Sequence, residues 1–464
     1  IFRRAMMNEE LAYQQSLDYL YSFIDYSLQR MFRASPERFD MGRMHALMAA
    51  IGNPHQSYPV IHVAGTKGKG SVSVLCASAL QAMGYKVGLY TSPHLQEYTE
   101  RIQINHQDIP RLDFVRLVEE VKPYVDTIPK LTTFEITTAM MYRYFSQQQV
   151  DVAIIEVGLG GRLDATNVVV PRVSVITSIS YDHAEILGDT LALIAAEKSG
   201  IIKPEVPVVV APQREEARRV ITRIATERNS PLLQVGKDLL FAPVSHSLNG
   251  QTMLVWHSRE QEMVSEYIES GGAKIWEPTR LNLSLLGYHQ VQNAATAYAA
   301  LHLLNDSGLT VSEAAIQTGF AQTCWPARFE ILQRYPAVVV DAAHNRDSAQ
   351  KLSMAIGDYF PAQPVVLIFG ASEDKDVEGM FAELLPRVRQ VIATQSIHPR
   401  AMDAEKLVIL AHQFGRPAKM VTPLEDALAE AVRIAAGEAV VMAAGSIFLA
   451  AGIRQAWKQG VKNG

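Results

Sequence analysis

Val60-Ile61-His62-Val63-Ala64-Gly65-Thr66-Lys67-Gly68-Lys69-Gly70-Ser71 is the stretch that decides the fold. It opens as a short apolar run, passes through a glycine-rich turn and continues into a segment that reads as helical as far as Gly84. A buried strand feeding such a turn and then a helix N-terminus is an anion cradle. Glycines let the backbone approach closely, amides of the first helical turn point at phosphate oxygens, and Lys69 is placed to reach the terminal phosphates. The common pattern G-x-x-x-x-G-K-[ST] is not met, because Gly70 follows Lys69 and the hydroxyl comes one place later, at Ser71. In the common loop that hydroxyl holds magnesium, so here the metal is expected to draw ligands from elsewhere.

Working outward, further apolar runs at 86–90, 150–157, 173–179 and 206–210 alternate with helical segments. Continuous rather than alternating runs predict strands buried on both faces, hence a parallel sheet between helix layers. Upstream, Leu17, Leu20, Tyr21, Ile24 and Leu28 recur at helical steps within a stretch from 11 to about 48. Downstream, the segments LLQVGKDLLFAP, TMLVWHS and TRLNLSLLG within 232–286 read as a small antiparallel patch, and 289–304 as an Ala-rich helix. Strand–helix alternation returns at 337–341, 364–369, 390–394, 419–421 and 438–443, beyond a hinge expected near 318–326. The prediction is an α/β chain. Residues 1–320 form a P-loop-type, mostly parallel ATP-binding domain with the antiparallel patch, and 321–464 form a second, smaller Rossmann-like α/β domain.

Composition narrows the class. The 464 residues suffice for two or three ordinary domains, and 48% hydrophobic with 20% charged residues leaves little room for long disorder. Lys plus Arg number 43 against 48 Asp plus Glu, a net charge of −5, which argues against a general nucleic-acid or anionic-membrane binder while permitting one local basic pocket. Cys76 and Cys324 are the only cysteines, which excludes a disulfide framework and a Cys-ligated zinc and fits a reducing cytoplasm. Residues 1–4 are not followed by an apolar run and do not read as a signal peptide. AVVMAAGSIFLAAGI at 439–453 falls short of the roughly 20 residues that cross a bilayer, and Gly445-Ser446 interrupts it. A buried strand, a turn and a helix start are expected there, in a soluble monomer whose partners are small molecules rather than nucleic acid or membrane.

Chemistry-bearing residues stand at the predicted strand ends: Thr91-Ser92-Pro93-His94, Glu156 before Gly158-Leu159-Gly160-Gly161, and Tyr181-Asp182-His183. In a parallel α/β sheet the carboxyl ends of the strands meet at one edge, where ligands bind. A hydroxyl, a carboxylate and an imidazole would then surround the phosphates, a donor set that suits magnesium or manganese better than zinc. Each residue alone has a plainer reading, His183 as a core histidine and Glu156 as a helix-cap partner.

Taken together, GTKGKGS (65–71), TSPHLQEYTERI (91–102), EVGLGGRLDATN (156–167), DH (182–183), EKSGIIK (197–203), GYHQVQNAATA (287–297), ARFE (327–330) and DAAHN (341–345) resemble the folylpolyglutamate synthase family. The resemblance is to its bifunctional dihydrofolate/folylpolyglutamate synthase branch, within the Mur-ligase superfamily, and covers about 10–455 in the family's order. It implies an ATP-dependent amide ligase. The γ-phosphate passes to a substrate carboxylate to give an acyl phosphate, and the amino group of L-glutamate then displaces phosphate.

The resemblance also implies roles. Thr66, Gly68, Lys69, Gly70 and Ser71 match the triphosphate cradle, and Ser92, Glu156 and His183 the magnesium ligands. Lys198 matches a lysine that the family carbamylates, whose carbamate would face a second magnesium; by itself it reads as a surface lysine on an Ala-rich helix. Asn293 matches an adenine-side contact, and Arg328 and Asp341 nucleotide contacts from the second domain. The family commonly has Gly before that Arg and after that Asp, where this chain has Ala327 and Ala342. His344, Arg101 and Ser446 match the glutamate side, with a solvated ion pair to Glu100 as the alternative for Arg101. Thr133-Phe134-Glu135 matches the segment that receives the pterin, with Phe134 either stacking on the ring or packing in the core. The two domains are expected to close over the substrates. His94 and Leu95 resemble the bifunctional form. Folate extension alone, a cell-wall peptide ligase of the Mur type and a catalytically silent nucleotide-binding regulator are the rival readings.

Overall fold

A strand with no polar alternation is stable only when both of its faces are covered, and β1 (Val60–Ala64) is buried at every position. The computed structural model describes residues 2–24, 40–182, 184–272, 276–396 and 398–463. Within them β1 belongs to an eight-stranded sheet with β2 (Val87–Tyr90), β3 (Ile102–Ile104), β4 (Gln107–Asp108), β5 (Val152–Glu156), β6 (Val173–Ile176), β7 (Val208–Val210) and β8 (Leu232–Gln234). The order is β4-β3-β2-β5-β1-β6-β7-β8. Strands β2, β5, β1, β6, β7 and β8 run parallel, and β3 and β4 close one edge antiparallel.

Strands β2, β5, β6 and β7 are shorter than the apolar runs at 86–90, 150–157, 173–179 and 206–210. Beyond β6, the carbonyl of Ser178 accepts from Thr66 N at 2.9 Å and Lys67 N at 3.1 Å, so this end of the 173–179 run braces the glycine turn. Leu232–Gln234, expected in the antiparallel patch, instead joins the main sheet as β8, parallel to β7. The patch itself is a three-stranded sheet, β9 (Leu239–Ser247), β10 (Gly250–His257) and β11 (Thr279–Leu283), in the order β11-β10-β9. Among the described residues of the N-terminal helical stretch are two helices, Phe2–Tyr21 and Met41–Ala50. Ile24 is not helical, since it bridges to Thr132, and Leu28 lies outside the described residues.

The chain divides into two compact units, one of 1–242, 253–282 and 292–323, the other of 243–252, 283–291 and 324–464. The second unit holds a six-stranded sheet of β12 (Glu330–Arg334), β13 (Ala337–Val340), β14 (Val365–Phe369), β15 (Val388–Ala393), β16 (Ala418–Met420) and β17 (Val440–Ala444), ordered β12-β13-β17-β14-β15-β16. All neighbours are parallel except β12 and β13. Val339, Leu367, Phe369, Phe381 and Met442 lie in its apolar core. The 439–453 stretch is β17, a Gly445-Ser446 turn and the start of the helix Ile447–Asn463. No helix among the described residues is long and apolar enough to cross a membrane.

Candidate active site

The glycine turn leaves β1 and enters the helix Lys69–Ala82, whose N-cap is Gly68 in the left-handed region (φ 93°). That conformation suits glycine, and space demands it too: a Cβ there would lie 2.3 Å from Asn293 Oδ1. The sequence-predicted Asn293 is therefore beside the cradle. A helix N-terminus without a side-chain cap leaves its first amides for a ligand, and those of Lys69, Gly70 and Ser71 are the ones an anion would meet. Thr66 Oγ1 donates to Ser180 O at 3.1 Å, and Lys67 Nζ lies 2.9 Å from Asp182 Oδ2, so both side chains hold the turn against the segment after β6.

Glu156 ends β5, next to β1 in the sheet, and is 5% exposed. One carboxylate oxygen lies 3.8 Å from Lys69 Nζ, and the other accepts from the Ser92 amide at 3.3 Å. Sheet order thus brings together three of the predicted residues, Lys69, Ser92 and Glu156. His183, the third expected metal ligand, lies outside the described residues. Lys198, far from the surface position its Ala-rich helix suggests, is 5% exposed and donates to Gly65 O at 2.9 Å. Burial, with Lys69 adding to it, pulls its amine down to about 7.

Asp164 braces the segment after Glu156. Its carboxylate accepts from Leu159 N at 2.9 Å, from Thr166 N at 3.0 Å and from the Thr166 hydroxyl. Because that hydroxyl donates to Asp164, the Nε2 of the fully buried His62, 2.8 Å away, must be its donor. Burial foremost, then Lys203, drives His62 down to about 3, so the relay is neutral at that end.

Phe134 packs over the same segment, where a Cβ on Gly158 would fall 2.5 Å from its Cζ. Its neighbours Thr133 and Glu135 open the helix Thr133–Gln147 and are engaged internally. Thr133 Oγ1 donates to Leu20 O at 2.8 Å, and Glu135 completes a capping box with Thr132 while pairing with Arg43 at 3.2 Å. Arg101 is 8% exposed and makes no solvated pair with Glu100, whose carboxylate accepts the amides of Leu95, Gln96 and Glu97. Arg101 Nε donates to His94 Nδ1 at 3.0 Å, and its guanidinium lies 4.5 Å from the Tyr98 ring centre.

In the second unit, Asp341 follows β13 and accepts from Phe329 N and Ala343 N, both at 2.8 Å. Burial raises its carboxyl, and Arg328 opposes the rise. Ala327 and Phe329 flank Arg328 with φ of 55° and 48°, so Ala327 takes the left-handed angle a glycine would favour rather than rerouting the chain. The Ala342 amide, donating to Ala327 O at 2.9 Å, locks that bend. His344 Nδ1 lies 2.9 Å from Ala342 O, and Ser446 Oγ accepts from Leu449 N at 3.0 Å. The ends of β13 and β17, adjacent in the sheet, thus set Asp341, His344 and Ser446 along one edge.

This arrangement matches known proteins. Residues 63–301 match the model of the Mur ligase middle domain, and 327–447 that of the Mur ligase glutamate ligase domain. Dihydrofolate synthase/folylpolyglutamate synthase of Bacillus subtilis is 36% identical over 374 residues, 79% of this chain and 83% of that one. Folylpolyglutamate synthase of Lacticaseibacillus casei is 32% identical over 450 residues, 96% of this chain and 98% of that one. The chain belongs to the folylpolyglutamate synthase family of Mur ligases. Among solved structures, Mycobacterium tuberculosis folylpolyglutamate synthase complexed with ADP superposes with a TM-score of 0.84 at 31% identity, covering 97% of this chain and 99% of that one.

Three features of this family member escaped the sequence reading: the Lys67–Asp182 tie, the Asp164–Thr166–His62 relay and the seat of Arg101 on His94 and Tyr98. Only the second left a local signal. Asp-Ala-Thr at 164–166 has the spacing of an Asx turn, in which the carboxylate accepts from the amide two residues on.

Proposed function

We propose that the chain joins L-glutamate to the carboxylate of folates, and to dihydropteroate, at the expense of ATP and through an acyl phosphate. A carboxylate resists attack by an amine until one of its oxygens becomes a leaving group, and phosphorylation provides that. The observation that carries the reading is the junction at Gly68 and Lys69, a helix N-terminus at the end of a central strand with Lys69 Nζ 3.8 Å from Glu156. The Lys69–Ser71 amides cradle the triphosphate, Lys69 offsets charge as the γ-phosphoryl leaves, and Asn293 meets the adenine side. Arg328 and Asp341 act on the nucleotide, and Arg101, His344 and Ser446 on the incoming glutamate. Phe134, over the segment that follows Glu156, is assigned to the pterin ring.

The residues fit magnesium. Glu156 supplies a buried hard oxygen beside Ser92. That suits a hard cation that completes its shell with phosphate oxygens. Ser92, Glu156 and His183 would hold it, and it would neutralise phosphate charge. Lys198, with an amine near pH 7, is poised to react with carbon dioxide as the resemblance implies. The compartment is the reducing cytoplasm, which the free thiols of Cys76 and Cys324 suit.

ADP release, measured with dihydropteroate or tetrahydrofolate as acceptor and glutamate present, tests the reading. Both acceptors should drive turnover, and Lys69→Ala should lower kcat by about 100-fold or more with an unchanged melting temperature. Turnover with tetrahydrofolate alone would leave folate extension as the function, and an unaffected Lys69→Ala would remove the cradle from the mechanism.

A further inference from the structure

Arg101 is held on two sides. Tyr98 gives it a fixed platform: the ring is 3% exposed, its hydroxyl lies 2.6 Å from Thr137 Oγ1, and Phe114 meets it edge-on at 5.7 Å. The second hold is His94, whose Nδ1 accepts from Arg101 Nε at 3.0 Å while its ring lies 5.3 Å from that of Tyr98. The loop carrying both residues is closed on itself. Glu100 accepts the amides of Leu95, Gln96 and Glu97, and Thr91 N donates to Arg101 O at 3.1 Å. A guanidinium receives a carboxylate best through two parallel N–H bonds along one edge. With Nε donating to His94, a two-bond contact with a carboxylate would use the edge formed by the two Nη groups.

We propose that His94 is a positioning residue, whose Nδ1 fixes the Arg101 guanidinium in the orientation that receives a carboxylate of the incoming glutamate. The inference rests on the assignment of Arg101 to glutamate made above. It distinguishes His94 from a residue that only packs the loop, because what it must supply is one acceptor atom at one place. Asn carries its Oδ1 where His carries Nδ1, whereas Gln carries its acceptor one bond further out.

The experiment is steady-state kinetics with glutamate, ATP and folate varied in turn, for the wild type, Arg101→Ala, His94→Ala, His94→Asn, His94→Gln and the double variant Arg101→Ala/His94→Ala. Loss of a charge-assisted hydrogen bond to the guanidinium should raise KM for glutamate about tenfold in His94→Ala and His94→Gln, with KM for ATP within about twofold of wild type. His94→Asn should recover most of that loss. The double variant should be no worse than Arg101→Ala, since His94 acts only through Arg101. If Arg101→Ala leaves KM for glutamate unchanged, the glutamate assignment fails, and the inference with it. If Arg101→Ala raises it while His94→Ala does not, the positioning role alone is overturned. Rescue by Gln rather than Asn, or a double variant showing the product of both losses, overturns it too. The two polar variants keep the comparison decisive should His94→Ala not fold.

Discussion

Buried beneath the glycine turn, Lys198 shows how a single residue changes character with its surroundings. On a solvated helix its amine would titrate near 10.5, but here burial and Lys69 bring it down to about 7. Between those values the unfolded chain binds a proton that the folded chain does not, so stability rises with pH across that window; below about pH 7 both states are protonated and the cost of the buried ammonium is fully present. In buffer free of carbon dioxide, the urea midpoint of the wild type relative to Lys198→Met should climb from pH 7 to pH 10 and stay flat below pH 7. A difference that is flat throughout would contradict the burial of a titrating amine. Glu135 makes the complementary point. Its carboxylate is committed to the Thr132 capping box and to Arg43, so its place in a pterin-matching segment is accounted for by helix capping.

At the scale of elements, helix ends carry much of the local specification. Asn345, Asp376, Asp403, Thr132, Thr190 and Ser312 each cap a helix with a side-chain oxygen, which fixes where those helices start. The end of Leu424–Ala435 breaks the rule: its C-cap is Ala436 at φ 47°, a left-handed and exposed position where glycine is favoured. Ala436→Gly should therefore stabilise the protein by about 1 kcal/mol, read as a higher urea midpoint at unchanged slope. An unchanged or lower midpoint would mean that the left-handed conformation costs nothing there. Ala327 occupies the same backbone region with its methyl fully buried, so the same exchange there gives up apolar contact and carries no such gain.

For the whole molecule, the proposed function has both acceptors activated at the same phosphates, those held where β1 passes into the helix Lys69–Ala82. Dihydropteroate and tetrahydrofolate should then inhibit each other competitively, each with an inhibition constant equal to its own KM; ADP release rates that simply add at saturation would require two sites. The strand–turn–helix at 60–82, the parallel α/β class and the conversion of 439–453 into strand, turn and helix were legible because each follows from local periodicity and turn chemistry. The run at 232–234 was misplaced, because a short apolar segment does not specify which sheet edge receives it. The amino-acid sequence by itself determined the strand–turn–helix at 60–82 and, through motifs spread along the chain, the family. Only the tertiary structure decided that Asn293 faces Gly68, that Lys198 lies under Gly65, that Phe134 covers Gly158 and that Arg101 rests on Tyr98 and His94. The physical reason is that the first three contacts depend on the order β2-β5-β1-β6 and on how helices pack across it, and the last on how the 91–101 loop closes on itself. Burial then resets the charge of Lys198 and the hydrogen-bonding role of His62, which no run of neighbouring residues encodes.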